Sequence, residues 1–187
     1  MRKCVWKPLG KGRVTLEFRR IVSKKRLHSL AQTVKIMPED TGMDVRIITG
    51  INGRMTNSGV QHFSEIEKRV RDGKILQYMH RTLQSHVTVI YNMGFRYFVT
   101  EGEKMCCLYP KTEIRTLRRK IELSAEVRLK KGQTFLLEKI VDVRTSRDKK
   151  SVGESISEIA QKSMEAVQEN LRLGYNRSVS YTHLRAH

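Results

Sequence analysis

A run of strictly alternating apolar and polar side chains in the second half of this chain most constrains its fold. The apolar members of the run are Ile121, Leu123, Ala125, Val127 and Leu129. Charged residues and a serine lie between them. Successive side chains of a β-strand point to opposite faces, so a period of two predicts a strand with one buried and one solvated face.

The same alternation recurs along the chain and predicts an antiparallel β-sandwich. Further strands are predicted at 14–18, 27–36, 43–47, 75–82, 87–91, 95–99 and 135–143. Glycine-rich and asparagine-rich turns separate several of them, as at Asn52-Gly53 and Asp72-Gly73. Many short strands with regular turn signals are typical of sandwiches and barrels. Trp6 is expected in the core, with sugar stacking as the alternative.

The hydrophobic period changes after residue 150 and predicts one amphipathic helix from about 156 to 173. Ser155 and Glu158 have the spacing of a capping box, in which each side chain accepts from the other residue's backbone amide. Gly174 lies where a helix C-terminus favours glycine. The fold class is therefore mainly β, with one C-terminal α-helix.

Composition indicates a cytoplasmic globular protein. Hydrophobic residues make up 39% of the 187 residues and charged residues 30%. No apolar run approaches the ~20 residues that cross a bilayer, and no signal peptide is recognisable. The three cysteines, Cys4 and the pair Cys106-Cys107, lack framework or metal-site spacing and are expected to be reduced thiols.

The net charge of +18 is the electrostatic signature of a nucleic-acid binder. However, the basic residues are spread along the chain, with short clusters only at 115–120 and 147–150. No zinc-finger, RNA-binding or helix-turn-helix pattern accompanies them. Solvated strand faces account for the charge better, and nucleic-acid binding stays as a minor alternative.

The segment TGINGRMTNSGVQHF, residues 49–63, resembles the N-terminal domain of glycoside hydrolase family 65. That family includes the phosphorylases of maltose, kojibiose, nigerose and trehalose. Other segments continue the resemblance in the same order over most of residues 1–150. They are 18–23, 28–38, 72–74, 82–85, 138–141 and 145–148.

The resemblance implies a domain organisation. Residues 1–150 would be part of an N-terminal β-sandwich of the galactose-mutarotase-like super-sandwich type. Residues 151–177 would begin the helical linker to an (α/α)6 catalytic barrel that the chain lacks, so the apolar stripe of the helix is expected to pack on that barrel. The alternative is that the stripe folds back on the sandwich.

Both ends of the chain depart from the family. Residues 178–187 resemble translated adapter sequence and are expected to be a non-native tail. The family's domain has further strands before the position of Met1, so the chain is expected to be an internal piece of a longer enzyme.

The resemblance also implies an inverting reaction in which inorganic phosphate is the co-substrate and no other cofactor is needed. A carboxylic acid of the barrel would protonate the leaving oxygen. No stretch of this chain resembles the motif around that acid, so no catalytic residue and no metal ligand is assigned. The implied partners are the barrel of the same polypeptide, a disaccharide, phosphate and a second copy of the chain.

Two pairs of titratable residues are candidates for independent sites. In a regular strand, Glu65 and Glu67 would lie on one face about 7 Å apart, although neighbouring cations favour a solvated surface. His80 and His86 would lie about 20 Å apart if extended, too far for one metal ion, and would approach only across a turn.

Two further features of the glycine-rich segment were considered. Its glycines, at 50, 53 and 59, are followed by no helix start and so do not predict a phosphate loop. His62 is expected to be either a core histidine or a side chain at a domain interface near the sugar site.

Two non-enzymatic alternatives stay open beside the scaffold domain of a phosphorylase. A stand-alone carbohydrate-binding module would use aromatic side chains for stacking on sugar rings. The candidates are Trp6, Tyr78, Tyr91 and Tyr97. Aromatic residues are only 6% of the chain, and most fall on predicted apolar faces, which disfavours this alternative. The third hypothesis, nucleic-acid binding, depends on charge alone.

Overall fold

The computed structural model describes residues 1–10, 12–148 and 151–183, without the side chains of residues 57 and 175–183. The described residues form thirteen strands and one helix. The elements are β1 (Arg2–Trp6), β2 (Val14–Val22), β3 (Ser29–Pro38), β4 (Met43–Asn52), β5 (Thr56–Asn57), β6 (Val60–Gln61), β7 (Phe63–Arg71), β8 (Ile75–Thr82), β9 (Thr88–Glu101), β10 (Lys104–Leu108), β11 (Lys111–Leu117), β12 (Lys120–Leu129), β13 (Gln133–Thr145) and α1 (Ile156–His183).

Two antiparallel sheets make the body of the fold. The large sheet has the order β1-β2-β3-β13-β9-β8-β7, and β10 pairs with the C-terminal part of β9. The small sheet has the order β11-β12-β4, and β5 and β6 form a separate hairpin. The predicted mainly β class, with antiparallel sheets and one C-terminal helix, is confirmed.

The small sheet covers one side of the large sheet, here called the inner face. The run predicted from residues 121 to 129 is β12, and its apolar side chains point to this layer. Ile121 and Leu123 pack with Leu76 and Met93, while Leu129 packs with Phe135 at the other end. Side chains at alternate positions of the central strands thus supply the core between the sheets.

The helix packs on the opposite side of the large sheet, here called the helix face. Ile159 and Ala160 pack against Met79 and Ile90. A Cβ atom at Gly94 would lie 2.6 Å from Leu171, so the bare backbone of β9 lets the helix approach closely. The helix therefore folds back on the sandwich, which is the second of the two arrangements expected for its apolar stripe.

Buried polar side chains join the helix to β8 and β9. The Gln77 amide Nε2 donates to Asn92 Oδ1 at 2.9 Å, and Asn92 Nδ2 donates to the backbone oxygen of Ala160 at 3.3 Å. Asn92 is fully buried. A buried amide costs free energy unless it is hydrogen-bonded, so this chain of bonds specifies where the helix lies.

A second polar chain joins the helix to β3 and β13. Ser29 Oγ donates to the carboxylate of buried Asp142 at 3.2 Å and accepts from Asn170 Nδ2 at 3.1 Å. Arg144 Nε donates to the same carboxylate at 2.8 Å. The negative charge of Asp142 is thus paired and hydrogen-bonded, as a buried carboxylate requires.

Both predicted helix signals are found. The Ser155 backbone amide donates to Glu158 Oε2 at 2.7 Å, and the Glu158 amide donates to Ser155 Oγ at 3.2 Å, which completes the capping box. Gly174 leaves the helical conformation with φ 73° and ψ 168°. Arg96 Nη1 donates to the oxygen of Leu171 at 2.7 Å and so caps the segment that ends there.

Helical backbone resumes after Gly174 and is described to His183. Residues 184–187 of the predicted tail lie outside the described residues. The proposed boundaries between sandwich, linker and tail remain predictions.

Two local predictions were wrong. The segments 87–91 and 95–99 belong to one continuous strand, β9, because Gly94 is accommodated beneath the helix instead of turning the chain. Trp6 is 59% exposed, since β1 is the edge strand of the large sheet and nothing described covers its end.

Candidate functional site

The glycine-rich segment lies over the end of the small sheet and against the inner face of β8. The Gly53 amide donates to the backbone oxygen of Arg119 at 2.8 Å, and Arg54 Nε donates to the oxygen of Arg118 at 2.9 Å. A Cβ atom at Gly53 would overlap the Tyr78 hydroxyl. Glycine at this position is therefore a requirement of close packing on a tyrosine.

His80 lies at the centre of this region, enclosed by three aromatic rings that we call the aromatic cage. Phe63 stacks on the imidazole with ring centroids 4.2 Å apart. Tyr78 and Tyr91 present edges at 5.7 and 5.3 Å. His80 is only 4% exposed, and neither of its ring nitrogens has a hydrogen-bond partner among the described residues. Burial lowers the pKa of His80, so its ring is neutral at pH 7.

A polar group borders the cage on β7. Lys68 Nζ donates to Glu65 Oε1 at 2.6 Å. Burial, with a further contribution from the charge of Glu65, raises the pKa of Tyr78 to about 12. Tyr78 thus keeps its proton and donates it toward Glu65. Glu65 is thus engaged by a cation on β7 and by a phenol on β8.

A β-bulge separates the two glutamates that a regular strand would place together. Glu65 pairs with His80 across the strands, whereas Glu67 pairs with Met79. Because Ile66 is the extra residue between them, Glu65 faces the inner side and Glu67 the helix side, where it pairs with Arg69. The expectation that both lie on one face was wrong, and no carboxylate pair exists here for acid–base chemistry.

The two other histidines of the sequence hypotheses lie apart from the cage centre. His62 is half-buried between β6 and β7, and its backbone oxygen accepts from the Leu83 amide at 2.9 Å. Its role at a domain interface remains a prediction. His86 lies in the turn after β8 with φ 52°. Within the described residues no group of three or more His, Cys, Asp or Glu side chains is placed to hold a metal ion.

Two adjoining concave surfaces on the helix face do not have the form of a sugar site. A cavity of about 100 Å³ lies between β3 and α1, lined in part by Ile140, Asn170 and Leu173. Sites for drug-sized ligands have volumes of about 300–1,000 Å³, so this cavity is too small for a disaccharide.

A wider cleft of about 540 Å³ adjoins the cavity. Its acidic side chains are paired: Asp142 with Arg144, Glu154 with Lys162 and Glu169 with Arg26. A free carboxylic acid is therefore missing from this cleft among the described residues.

Sequence reasoning did not identify the cage. It considered His80 only as a possible metal ligand. The signal that could have found it is parity, since His80 shares the alternate positions of β8 with Leu76 and Tyr78 on the inner face.

Comparison with known proteins decides the family. The profile of "Glycosyl hydrolase family 65, N-terminal domain" matches residues 1–183. The chain belongs to this family. The resemblance seen in the sequence is thereby confirmed.

Two relatives of the family 65 domain are named kojibiose phosphorylases. One, from Halothermothrix orenii (strain H 168 / OCM 544 / DSM 9562), is 38% identical over 149 residues, which cover 79% of this chain and 18% of that protein. The other, from Escherichia coli (strain K12), is 29% identical over 140 residues, which cover 75% of this chain and 17% of that protein. The family 65 domain therefore spans less than a fifth of these relatives' length.

A solved structure shares the fold of the family 65 domain. It comes from the human microbiome and is provisionally described as a kojibiose phosphorylase. The TM-score is 0.80 at 12% sequence identity, over 96% of this chain and 22% of that one. At this identity the likeness shows the fold alone.

No helix among the described residues is both long and apolar enough to span a bilayer.

Proposed function

We propose that this chain is a non-catalytic N-terminal portion of an inverting disaccharide phosphorylase. The observation that carries the proposal is its membership of the family 65 N-terminal domain, together with 38% identity to a protein named kojibiose phosphorylase. Lys68 donates to Glu65 and Arg144 donates to Asp142, so both carboxylates already serve as ion-pair partners within the sandwich. In this proposal the acid and the phosphate site belong to a catalytic barrel of the same polypeptide.

The role of the domain is to support that barrel. Its proposed partners are the barrel, a second copy of the whole enzyme, and, through the barrel, disaccharide and inorganic phosphate. Cytoplasmic location is part of the same proposal, and the free state of Cys4, Cys106 and Cys107 supports it. Kojibiose is the first disaccharide to test because both named relatives carry it in their names.

A domain exchange tests the scaffold role. The 149-residue matched segment of the Halothermothrix orenii protein is replaced by the corresponding residues of this chain. We expect the chimera to release sugar 1-phosphate from kojibiose and phosphate, and the same protein without the segment to be inactive or insoluble. A folded chimera with no activity would contradict the proposal.

The isolated chain provides the complementary measurement. Purified residues 1–187 should release no sugar 1-phosphate and no free glucose from maltose, kojibiose or trehalose, with or without phosphate. Phosphate-dependent release by the isolated chain would show that catalysis lies within it.

Carbohydrate binding without catalysis is a second candidate, favoured by one observation. Trp6 is 59% exposed, so it could stack on a sugar ring, whereas Tyr78 and Tyr91 are engaged in the cage and Tyr97 packs in the core. Calorimetry with an oligosaccharide panel, on the native chain and Trp6→Ala, distinguishes the two functions. Heat that is lost in Trp6→Ala would favour a binding module, and absence of heat at millimolar sugar would remove it.

Nucleic-acid binding is the third candidate and depends on the net charge of +18. Many of the cations have acidic partners, such as Arg46 with Glu126 and Arg115 with Glu113 on the small sheet. Retention on a heparin column that falls steeply with salt would support this function. Elution at low salt would remove it.

A further inference from the structure

The neutral ring of His80 is the least explained polar group in the molecule. Buried polar side chains are normally hydrogen-bonded, and an unsatisfied one costs free energy. Both ring nitrogens of His80 are buried without a partner among the described residues. An apolar side chain would fill the same space without that cost. Packing alone therefore does not explain a histidine here, and the property that distinguishes it from an apolar residue is that its ring can bind a proton.

The position of the cage implies that protonation of His80 would affect the packing of β7. Phe63, which stacks on the imidazole, is the first residue of β7 and follows directly on the β5–β6 hairpin. β7 is an edge strand that pairs only with β8, and its bulge at Ile66 interrupts that pairing. The His80–Phe63 stack is therefore a principal contact between the inner face and the beginning of this edge.

No described group around the cage accepts a hydrogen bond from His80 in the closed arrangement. Glu65 on β7 is the cross-strand neighbour of His80, but it is already bound by Lys68. Tyr78 on β8 and Tyr91 on β9 keep their protons, because burial raises the pKa of each, so neither supplies an anion to pair with an imidazolium. Arg119 of the β11–β12 turn acts on Tyr78 as a cation and would repel an imidazolium.

We propose that protonation of His80 opens the aromatic cage and releases Phe63, with the hairpin of residues 55–62, from the inner face. An imidazolium has two N–H donors, and in the closed cage neither has an acceptor. Opening lets water solvate the charge and lets Glu65 exchange Lys68 for His80. The cage is thus a pH-sensitive latch on the segment that carries the glycine-rich sequence, whichever function the whole protein serves.

The direction of the pH dependence follows from burial. Burial lowers the pKa of His80 in the closed state, whereas the open state has the ordinary value of about 6.5. The closed state is therefore fully stable above about pH 6.5 and is lost progressively as the pH falls toward the lower, closed-state pKa. The equilibrium constant for opening should rise by up to about tenfold per pH unit in that window.

Backbone amide hydrogen exchange on the native 187-residue chain, measured by NMR from pH 7.5 to 5 and corrected for intrinsic rates, tests the latch. We expect the protection of amides 55–66 to fall by up to about tenfold per pH unit below pH 6.5. Amides in the centres of β12 and β13 should keep their protection, because they lie outside the latch. A uniform loss over all strands, or no loss at 55–66, would overturn the proposal.

Two histidine variants identify the group that titrates. His80→Phe keeps an aromatic ring in the cage but cannot bind a proton, so protection at 55–66 should become independent of pH. His62→Phe is the matched control, since it removes the neighbouring half-buried histidine and should leave the pH dependence unchanged. The proposal is wrong if His80→Phe keeps the dependence or if His62→Phe abolishes it.

A ring titration of the native chain covers the case in which His80→Phe fails to fold. The carbon shifts of the His80 ring should titrate below 6.5 and together with the loss of amide protection. A His80 ring that titrates at 6.5 or above, or independently of the amides, would refute the latch.

Discussion

The two faces of the large sheet are held to their covering layers by different means. On the inner face most contacts with the small sheet are apolar, as where Phe135 and Leu137 pack with Leu129, and the bond from Lys139 Nζ to Thr49 Oγ1 is an exception. On the helix face, apolar contacts lie beside two chains of buried hydrogen bonds, one through Asn92 and one through Asp142. The small sheet is thus held mainly by the burial of apolar surface, whereas the helix is held in part by directional hydrogen bonds.

The difference has a physical consequence for how each layer fails. Apolar burial is non-directional and scales with area, so the loss of one side chain weakens the inner layers as a unit. Hydrogen bonds contribute little net free energy when made but cost much when one buried partner is left alone. The helix should therefore be positioned by its polar contacts more than it is stabilised by them.

Removal of a central inner side chain should have the largest effect. Phe135 is fully buried between the sheets, and Phe135→Ala should lower the free energy of unfolding by about 3–5 kcal/mol through lost transfer energy and a cavity. Urea unfolding followed by circular dichroism measures it. Tyr109→Ala is the control, since Tyr109 is 92% exposed and its loss should cost less than about 0.5 kcal/mol. Equal effects of the two substitutions would show that the inner face is not closely packed.

A double-mutant cycle on the helix face should give a smaller and non-additive effect. Asn92→Ala leaves the Gln77 amide buried without its acceptor and should cost about 1–3 kcal/mol. Replacing both residues by leucine removes both side-chain amides, so Gln77→Leu/Asn92→Leu should cost less than the sum of the single variants Gln77→Leu and Asn92→Leu. Unfolding free energies of the native, single and double variants complete the cycle. Additive losses would indicate that the helix face is held by area, like the inner face.

The strands of the inner face could be predicted from the sequence because their apolar side chains recur at every second position. Alternation identified β12 and its partner β4, although not its other partner β11, and the capping box placed the start of α1 within one residue. Asn52 ends β4 as predicted, but Gly53 does not have the positive φ of an Asn-Gly turn, and it lies in close contact with Tyr78. The family resemblance rested on the same glycine-rich segment.

The helix face and the cage were not accessible in this way. A buried asparagine or aspartate such as Asn92 or Asp142 has the same letter as a solvated one, and only its partners on distant strands decide its burial. The bulge at Ile66 inverts the parity of β7, so simple alternation assigns Glu67 to the wrong face. The edge position of β1 exposes Trp6, and edge position is a property of sheet order.

The helix cap should give the smallest effect of the three substitutions. Ser155→Ala removes the acceptor of the Glu158 amide and should cost about 1 kcal/mol, which urea unfolding of the whole chain or exchange of the first helical amides would detect. Ser157→Ala is the matched control, because Ser157 lies exposed in the same helical turn and does not precede the helix.

The cap also has a pH dependence that separates it from the apolar contacts. The hydrogen bond from the Ser155 backbone amide lowers the pKa of Glu158 below its ordinary value of 4.5. The contribution of this carboxylate is therefore fully present above pH 4.5 and is lost as the pH falls through the lower, folded-state value. Ser155→Ala also removes the side-chain hydroxyl that donates to Glu158. The difference in stability between native and Ser155→Ala chains should consequently shrink in acid, while the effect of Phe135→Ala should not. A difference that stays constant from pH 7 to pH 3 would mean that the Ser155 hydroxyl acts without its reciprocal carboxylate.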